Sequence, residues 1–423
     1  MKSISIIGAT FEGNRGAEAM LTTTIAKLRT SHSSGDMAFN IFSYYPERDR
    51  KLVDDSLISI YSSTPMYLVL VLLPCSILHK LLQVLRLTFL QKLLPQSVQA
   101  LASSSALVCL AGVSFIDGRE KFLPFNVATI LPALLLGVPV IKFAQAMGPF
   151  TNLVNRIIAK VFLGRCRQIF TRGEKTNSHL QTLFGEKVNY QRADDIAFLF
   201  EGEFSLSAPG SEFDETLYEL QQYRKSGKCI IGVCPSIVVA VRSEATGGDY
   251  ILRMQELIAE LVDRGYSVAL YPNATRGEDM DKTHNNDLPL LDSILQGLDS
   301  ETKRNVLAFT GSLNAKQIHC IVKNCDVHSV SRFHAMVAAL ASSIPVMVVG
   351  WSHKYLEVME CFSQQDMVLD YKDGSVEPII ACIEQLLAER KLRSDQIAAE
   401  LPCVKQMSIR QIQYVLELVE NES

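Results

Sequence analysis

Short apolar, β-branched runs alternate with longer helical patterns along most of this chain, and that alternation predicts parallel sheets covered by crossover helices. The first run, Ile4 to Ile7, enters a polar glycine-containing turn at residues 8–18, and residues 19–28 then read as a helix. Strands follow at residues 105–110, 138–143 and 169–172, with a helix over 175–183. Residues 201–215 are rich in Ser, Gly, Pro and acidic side chains and break the pattern. It restarts with a strand at 229–233, whose exit loop holds Pro235, Ser236 and Arg242, and an amphipathic helix over 250–264. Strands at 267–270, 306–309 and 325–327 and a helix at 315–323 precede a run of strong helix formers at 335–341. Pro345 ends that run and opens a strand at 346–349; terminal helices at 377–389 and 408–419 complete the pattern. The expected fold class is α/β, with two doubly wound Rossmann-like domains. Residues 1–205 form the first, 206–228 a linker and 229–404 the second, while 405–423 pack back on the first.

Residues 67–94 fit neither the strand nor the ordinary helix pattern. Pro74, His79, Lys80 and Arg86 interrupt an otherwise apolar run, which disfavours a span through a hydrocarbon core roughly 30 Å thick. After Pro74 the apolar residues surround most of a helical circumference. Such a helix is either buried or dipped into a membrane surface, with Lys80, Arg86 and Lys92 reaching toward headgroups. The surface arrangement is the expectation carried forward.

A length of 423 residues exceeds what one core usually supports, in keeping with two domains. The net charge of −4 leaves no basic excess to neutralise phosphates, which excludes nucleic acid as the expected partner. Ten cysteines lie scattered without a Cys-x-x-Cys pair, which points to a reducing compartment and a cytoplasmic location. His319, Cys320, Cys325 and His328 match no zinc spacing, so no metal site is expected.

Residues 326–354 carry the densest candidate chemistry. Arg332 and His334 fall at a strand-to-helix turn, where free backbone N–H groups and the helix dipole favour an anion. Lys354 falls just past the next strand, on the same carboxyl edge of a parallel sheet, where open α/β sheets bind ligands. Three cationic or titratable groups at one edge predict an anion site. Arg172, at the end of an earlier strand, reads instead as half of a structural ion pair, and Asp194 and Asp195 as inter-domain or packing features.

Arg-x-His at a helix start, an apolar helix, Ile-Pro, a strand and then Lys354 resemble the signature of the polysaccharide pyruvyl transferase family. The turn containing Gly13, Asn14 and Gly16 resembles the family's N-terminal motif, with Ala17 where an aspartate is usual and Glu18 beside it. Gly112 and Asp117 sit where the family carries a glycine-rich loop ending in aspartate, and residues 145–150 and 193–199 are also family-like. The resemblance implies a glycosyltransferase-B-like fold and phosphoenolpyruvate as donor, with no cofactor. It also implies a saccharide acceptor, either a polysaccharide or a lipid-linked precursor met at the inner face of a membrane.

Ketal formation requires a proton on C3 of that donor, two acceptor hydroxyls added at C2, and departure of phosphate. Arg332 and Lys354 would meet the donor's negative charges, with Arg242 as a further candidate, and Asn14 and Gly16 would line the substrate. His334 would transfer protons and Asp117 would orient or deprotonate an acceptor hydroxyl. The alternatives are a sugar-nucleotide-dependent glycosyltransferase of the same fold, a paralogue that has lost activity, and a non-catalytic membrane-associated protein.

Overall fold

The apolar runs do become parallel strands, buried on both faces as a sheet covered by helices on either side requires. The computed structural model describes residues 2–31, 37–202, 210–277, 280, 284–350, 352–372 and 375–421. The chain divides into two compact units: residues 1–12, 20–200 and 405–423 make the first, and 13–19 with 201–404 the second.

The first unit is built on β1 (Lys2–Ile7), β2 (Met37–Ser43), β3 (Ile58–Ser62), β4 (Ala106–Cys109), β5 (Val113–Ile116), β6 (Val140–Gly148), β7 (Gln168–Arg172) and β8 (Tyr190–Ala193). Their order is β3-β2-β1-β4-β6-β7-β8, with β5 added alongside β6, and every pairing is parallel. The second unit holds β9 (Ile230–Cys234), β10 (Ser267–Leu270), β11 (Val306–Ala308), β12 (Val327–Val330), β13 (Val346–Gly350) and β14 (Val368–Asp370). Its order is β11-β10-β9-β12-β13-β14, the doubly wound order whose direction reverses between the first strand and the fourth. That reversal lies between the ends of β9 and β12.

Several elements differ from the sequence expectation. Residues 113–116, expected in a loop, pair with β6, where Phe115 is buried and the Ser114 hydroxyl donates to the Gln145 side chain. The expected linker holds a helix, Glu212–Lys225: Ser211 caps its N-terminus, and Phe213, Leu217 and Leu220 are buried despite the polar composition around them. Arg242 lies in the last turn of a helix, Ile237–Glu244, capped by Ser236, rather than in the exit loop of β9.

Residues 65–84 form consecutive helical segments. A π-turn at Leu68–Leu72, in which the Leu73 N–H donates to the Leu68 carbonyl, precedes Pro74 at the start of the next segment. Widening the helix there accommodates a residue that has no N–H and whose ring crowds the preceding turn. Within this arm Leu82 is buried, whereas Leu85 and Phe89 are exposed.

The C-terminal part of the chain is one long helix, Arg390–Asn421, which contains Pro402. Its second half belongs to the first unit. There Gln411 accepts from the Ala144 backbone N–H of β6 at 2.6 Å and donates to the Asp194 carbonyl at 2.8 Å.

Candidate active site

At the carboxyl end of β12 the chain turns through Ser331 and Arg332 into the helix Phe333–Ala341. Arg332 holds the N-cap position with extended backbone, and it places no side-chain hydrogen bond on the helix N-terminus. The first-turn amides of this helix thus carry the positive end of the dipole at the edge of the sheet.

Arg332 itself is buried against a partner that no sequence pattern marks. Its Nε donates to both carboxylate oxygens of Asp287, at 2.9 and 3.2 Å, and an Nη also donates to that carboxylate. The other Nη donates to Asn285 Oδ1 at 2.8 Å, and Asn285 adopts a left-handed backbone, φ 52°, to offer it. Burial opposes the guanidinium charge, but the Asp287 carboxylate outweighs it and raises the Arg332 pKa above its ordinary value. Asp287 also accepts from the backbone N–H groups of Ile237, Asn273 and Ala274. One carboxylate therefore ties the loops after β9 and β10 to the one after β12. Arg332 acts as the counter-charge of that knot.

His334 occupies the second position of the helix and is half-buried. Its ring stands edge-on to Phe333, with centroids 5.2 Å apart. Gly16 lies against it: a Cβ built on Gly16 would fall 2.0 Å from the His334 Cγ and Nδ1 atoms. Only glycine permits this approach. Asn14 accepts from the Gly16 and Ala17 amides at 2.9 and 3.4 Å, forming the turn that presents Gly16.

The segment 13–19 is fixed to the second unit by a backbone bridge from Asn14 to Ala274 and by Arg15, which donates to Thr275 and Ser312 hydroxyls. Glu18 accepts from Arg15 and from the Ala315 N–H. This carboxylate, beside the position of the family aspartate, anchors the start of the helix Ala315–Lys323.

Lys354 lies in the first turn of the helix His353–Glu360 that follows β13. Its Nζ sits 4.9 Å from the centre of the Phe333 ring and 5.2 Å from that of Tyr355, a cation–π arrangement on both. Phe333 is thus flanked by His334 on one contact and Lys354 on another. The switch point of the second sheet gathers Asn14, Gly16, Arg332, His334 and Lys354, five of the seven candidates.

Asp117 belongs to the first unit, and Arg242 to a helix of the second. Asp117, after β5 in the first unit, accepts from the Thr151 amide and hydroxyl, the Asn152 amide and the Asn155 side chain. Burial alone would raise its pKa, but these donors outweigh it and hold the carboxyl below its ordinary value. A carboxylate so engaged anchors a turn and is a weak base. Arg242 is part-exposed at the C-terminal end of its helix, away from the Ser236 end that faces Asp287.

Arg172 donates to Asp195 at 2.8 Å and to the Gly112 carbonyl at 2.9 Å, the buried structural pair expected of it. Among the described residues no group of three or more His, Cys, Asp and Glu side chains is arranged to hold a metal ion.

The two doubly wound parallel sheets, with the candidate groups at the switch point of one, define a glycosyltransferase-B-type α/β protein. Solved structures bear out that class. The chain superimposes on a UDP-N-acetylglucosamine 2-epimerase homologue from Listeria monocytogenes with a TM-score of 0.60 at 11% identity, covering 97% of this chain and 95% of that one. A UDP-glucose:anthocyanidin 3-O-glucosyltransferase gives 0.58 at 11% identity, with 99% of each chain covered. A UDP-forming trehalose-phosphate synthase from Burkholderia vietnamiensis gives 0.56 at 11% identity, again over 99% of each chain.

Residues 25–353 match the family described as polysaccharide pyruvyl transferase, and the chain belongs to that family. The protein is accordingly a transferase that acts on polysaccharide. No curated protein matches the chain by sequence. Arg332 and His334 lie inside the matched residues, Asn14 and Gly16 precede them, and Lys354 falls one residue beyond.

Proposed function

We propose that the protein transfers the pyruvyl unit of phosphoenolpyruvate to two hydroxyls of a saccharide, forming a cyclic ketal and releasing inorganic phosphate. The observation that carries this reading is the pairing of a half-buried histidine with a lysine about one phenyl ring, at the amide-rich start of the Phe333–Ala341 helix. Phosphoenolpyruvate presents a phosphate and a carboxylate; the helix N-terminus suits one and Lys354 the other. His334 transfers the proton. Two acceptor hydroxyls lose one proton each as their oxygens bond to C2. One proton ends on C3, converting the methylene to a methyl, and the other leaves with the phosphate as the C2–O bond breaks.

Arg332 has a supporting part here, since its guanidinium is oriented by Asp287 and Asn285. It fixes the loop that sets the helix start. Asp117 and Arg242 have no part in this scheme. The fold shared with a UDP-glucose-dependent glucosyltransferase makes a sugar nucleotide the competing donor.

The test is phosphate release from phosphoenolpyruvate in the presence of candidate saccharides, alongside a parallel assay with sugar nucleotides. His334→Gln should lower turnover by about 10²–10⁴-fold, the usual contribution of a positioned acid or base, with donor binding much less affected. Turnover of a sugar nucleotide but not of phosphoenolpyruvate would replace this reading by the glycosyltransferase one.

A further inference from the structure

We infer that one side of the first unit is a docking surface for the interface of an anionic lipid bilayer, made by the 65–94 arm together with the helix Leu153–Leu163. Two independent observations converge on it.

The first is exposure. In the arm Met66, Leu70, Ile77, Leu81 and Val84 are between half and seven-tenths exposed and recur at helical spacing along one face. The opposite face, with Leu68, Leu72 and Leu82, is buried. Phe89 and Leu93 extend the exposed strip past the helix end. The Leu153–Leu163 helix repeats the arrangement: Leu153, Val154, Ile157 and Val161 are exposed, while Asn155, Ala159 and Leu163 are buried. Leu68, Leu72, Ala159 and Leu163 all enter the same core cluster, as do Leu123 and Ala133 of intervening helices. Their outward faces therefore look away from a common core. An apolar area of this extent on a soluble unit calls for a partner.

The second observation is charge. Residues 56–173 contain eleven Lys and Arg against Asp117 and Glu120 alone, a formal +9 in a chain of net −4; the rest of the chain carries −13. Lys142 and Arg172 are buried, and the other nine cations are not. Lys80, Arg86 and Lys92 flank the apolar strip of the arm, and Arg156 and Lys160 flank that of the second helix. An apolar strip edged by these five cations, with Asp117 held in the turn that starts the second helix, is complementary to acyl chains beneath anionic headgroups. A neutral protein partner would leave that charge unmatched.

Residues 65–84 are the one described helix long and apolar enough to cross a bilayer, and only 17% of the apolar window is buried. Crossing would nevertheless pull Leu68 and Leu72 out of the core they share with the Leu131–Leu136 helix. The chain also enters from β3 and returns to β4 of the same sheet. The geometry thus selects lying on the membrane over spanning it.

Flotation of the purified full chain with lipid vesicles tests this without donor or acceptor, so its outcome does not depend on the proposed reaction. The protein should float with vesicles of phosphatidylcholine and phosphatidylglycerol, at least tenfold more than with phosphatidylcholine alone, and less at high salt. Ile77→Ser with Leu81→Ser, and separately Leu153→Ser with Ile157→Ser, should each reduce flotation at least tenfold without lowering the melting temperature. Should either pair destabilise the fold, Lys80→Glu with Lys92→Glu and Arg156→Glu with Lys160→Glu replace them, because these exposed cations carry no core packing. Wild-type protein that stays with the free fraction overturns the proposal. So does a dimer that the same substitutions dissociate without any vesicle binding, since the face would then belong to a second copy. Association that resists both high salt and alkaline extraction would mean a span and would equally overturn it.

Discussion

Arg332 shows how a residue can be read correctly by position and incompletely by partner. Its place at a strand-to-helix turn was legible from Val327 to Val330 and the helix formers after it. The buried carboxylate 45 positions earlier that holds its fork was not, because Asp287 lies in polar sequence without periodic signal. Arg332→Lys retains the charge but cannot reach both Asp287 oxygens and Asn285 together. It should lower stability of the second unit by about 1–3 kcal/mol, the range for charge-assisted hydrogen bonds, as read from denaturant midpoints. Undiminished stability combined with weakened donor binding would return Arg332 to direct contact with substrate. Gly16 teaches the complementary lesson. The glycine was visible in the sequence, but its reason, the imidazole of His334 occupying the space of a Cβ, exists only after folding.

Among the elements, those with strong period and firm punctuation were legible: β1, β7, β9, β13 and the helices Tyr250–Asp263 and Ala315–Lys323. The misses share a cause. The strand β5 has four residues and no alternation, and the helix Glu212–Lys225 has a polar sequence whose apolar face is only three residues wide. Both are stabilised by what they pack against rather than by local propensity. The Arg390–Asn421 helix continues through Pro402, where sequence reasoning expects a break. Its last turns are held in the first unit by Gln411, whose amide satisfies the buried Ala144 N–H and Asp194 carbonyl. Gln411→Ala leaves both groups unpaired, and we expect a loss of roughly 1–3 kcal/mol per stranded group. Thermal unfolding of the first unit, followed by hydrogen exchange at Ala144, reads this directly; unchanged protection there would mean that water replaces the amide without loss.

For the molecule as a whole, buried titratable groups give the two units opposite responses to acid. His328, in the second unit, is neutral between the Tyr271 hydroxyl and the Val322 carbonyl, and burial lowers its pKa to about 4. Burial lowers His319 of the same unit to about 4 as well. Both lie below the ordinary 6.5, so the unfolded chain takes up these protons first as pH falls. The stability they contribute is complete above pH 6.5 and is lost on the way to about 4, on the order of 3 kcal/mol for each histidine.

Asp194, in the first unit, has the reverse sign: burial raises its carboxyl to about 6, from 3.8, against the partial opposition of Arg192. Between about pH 6 and 3.8 the folded unit holds a proton that the unfolded chain does not, so this group alone makes the first unit more stable as pH falls. Urea unfolding from pH 7 to 4 should therefore show the second unit weakening ahead of the first. Asp194→Asn should raise stability at pH 7 and lose that advantage near pH 4. Parallel weakening of both units, or a neutral effect of Asn at pH 7, would contradict this assignment.

What the sequence alone determined is the layout whose causes are local. Apolar runs of strand length between helical stretches dictate parallel sheets, and Arg332, His334 and Lys354 follow strand ends by simple order along the chain. The family signature around them is equally local. Only the tertiary structure decided which of those groups meet. Strand order 11-10-9-12-13-14 brings the loops after β9, β10 and β12 to one point, and residues 13–19 join them from more than two hundred positions away. Contacts over such distances depend on strand order and packing, which hydrophobic period does not encode.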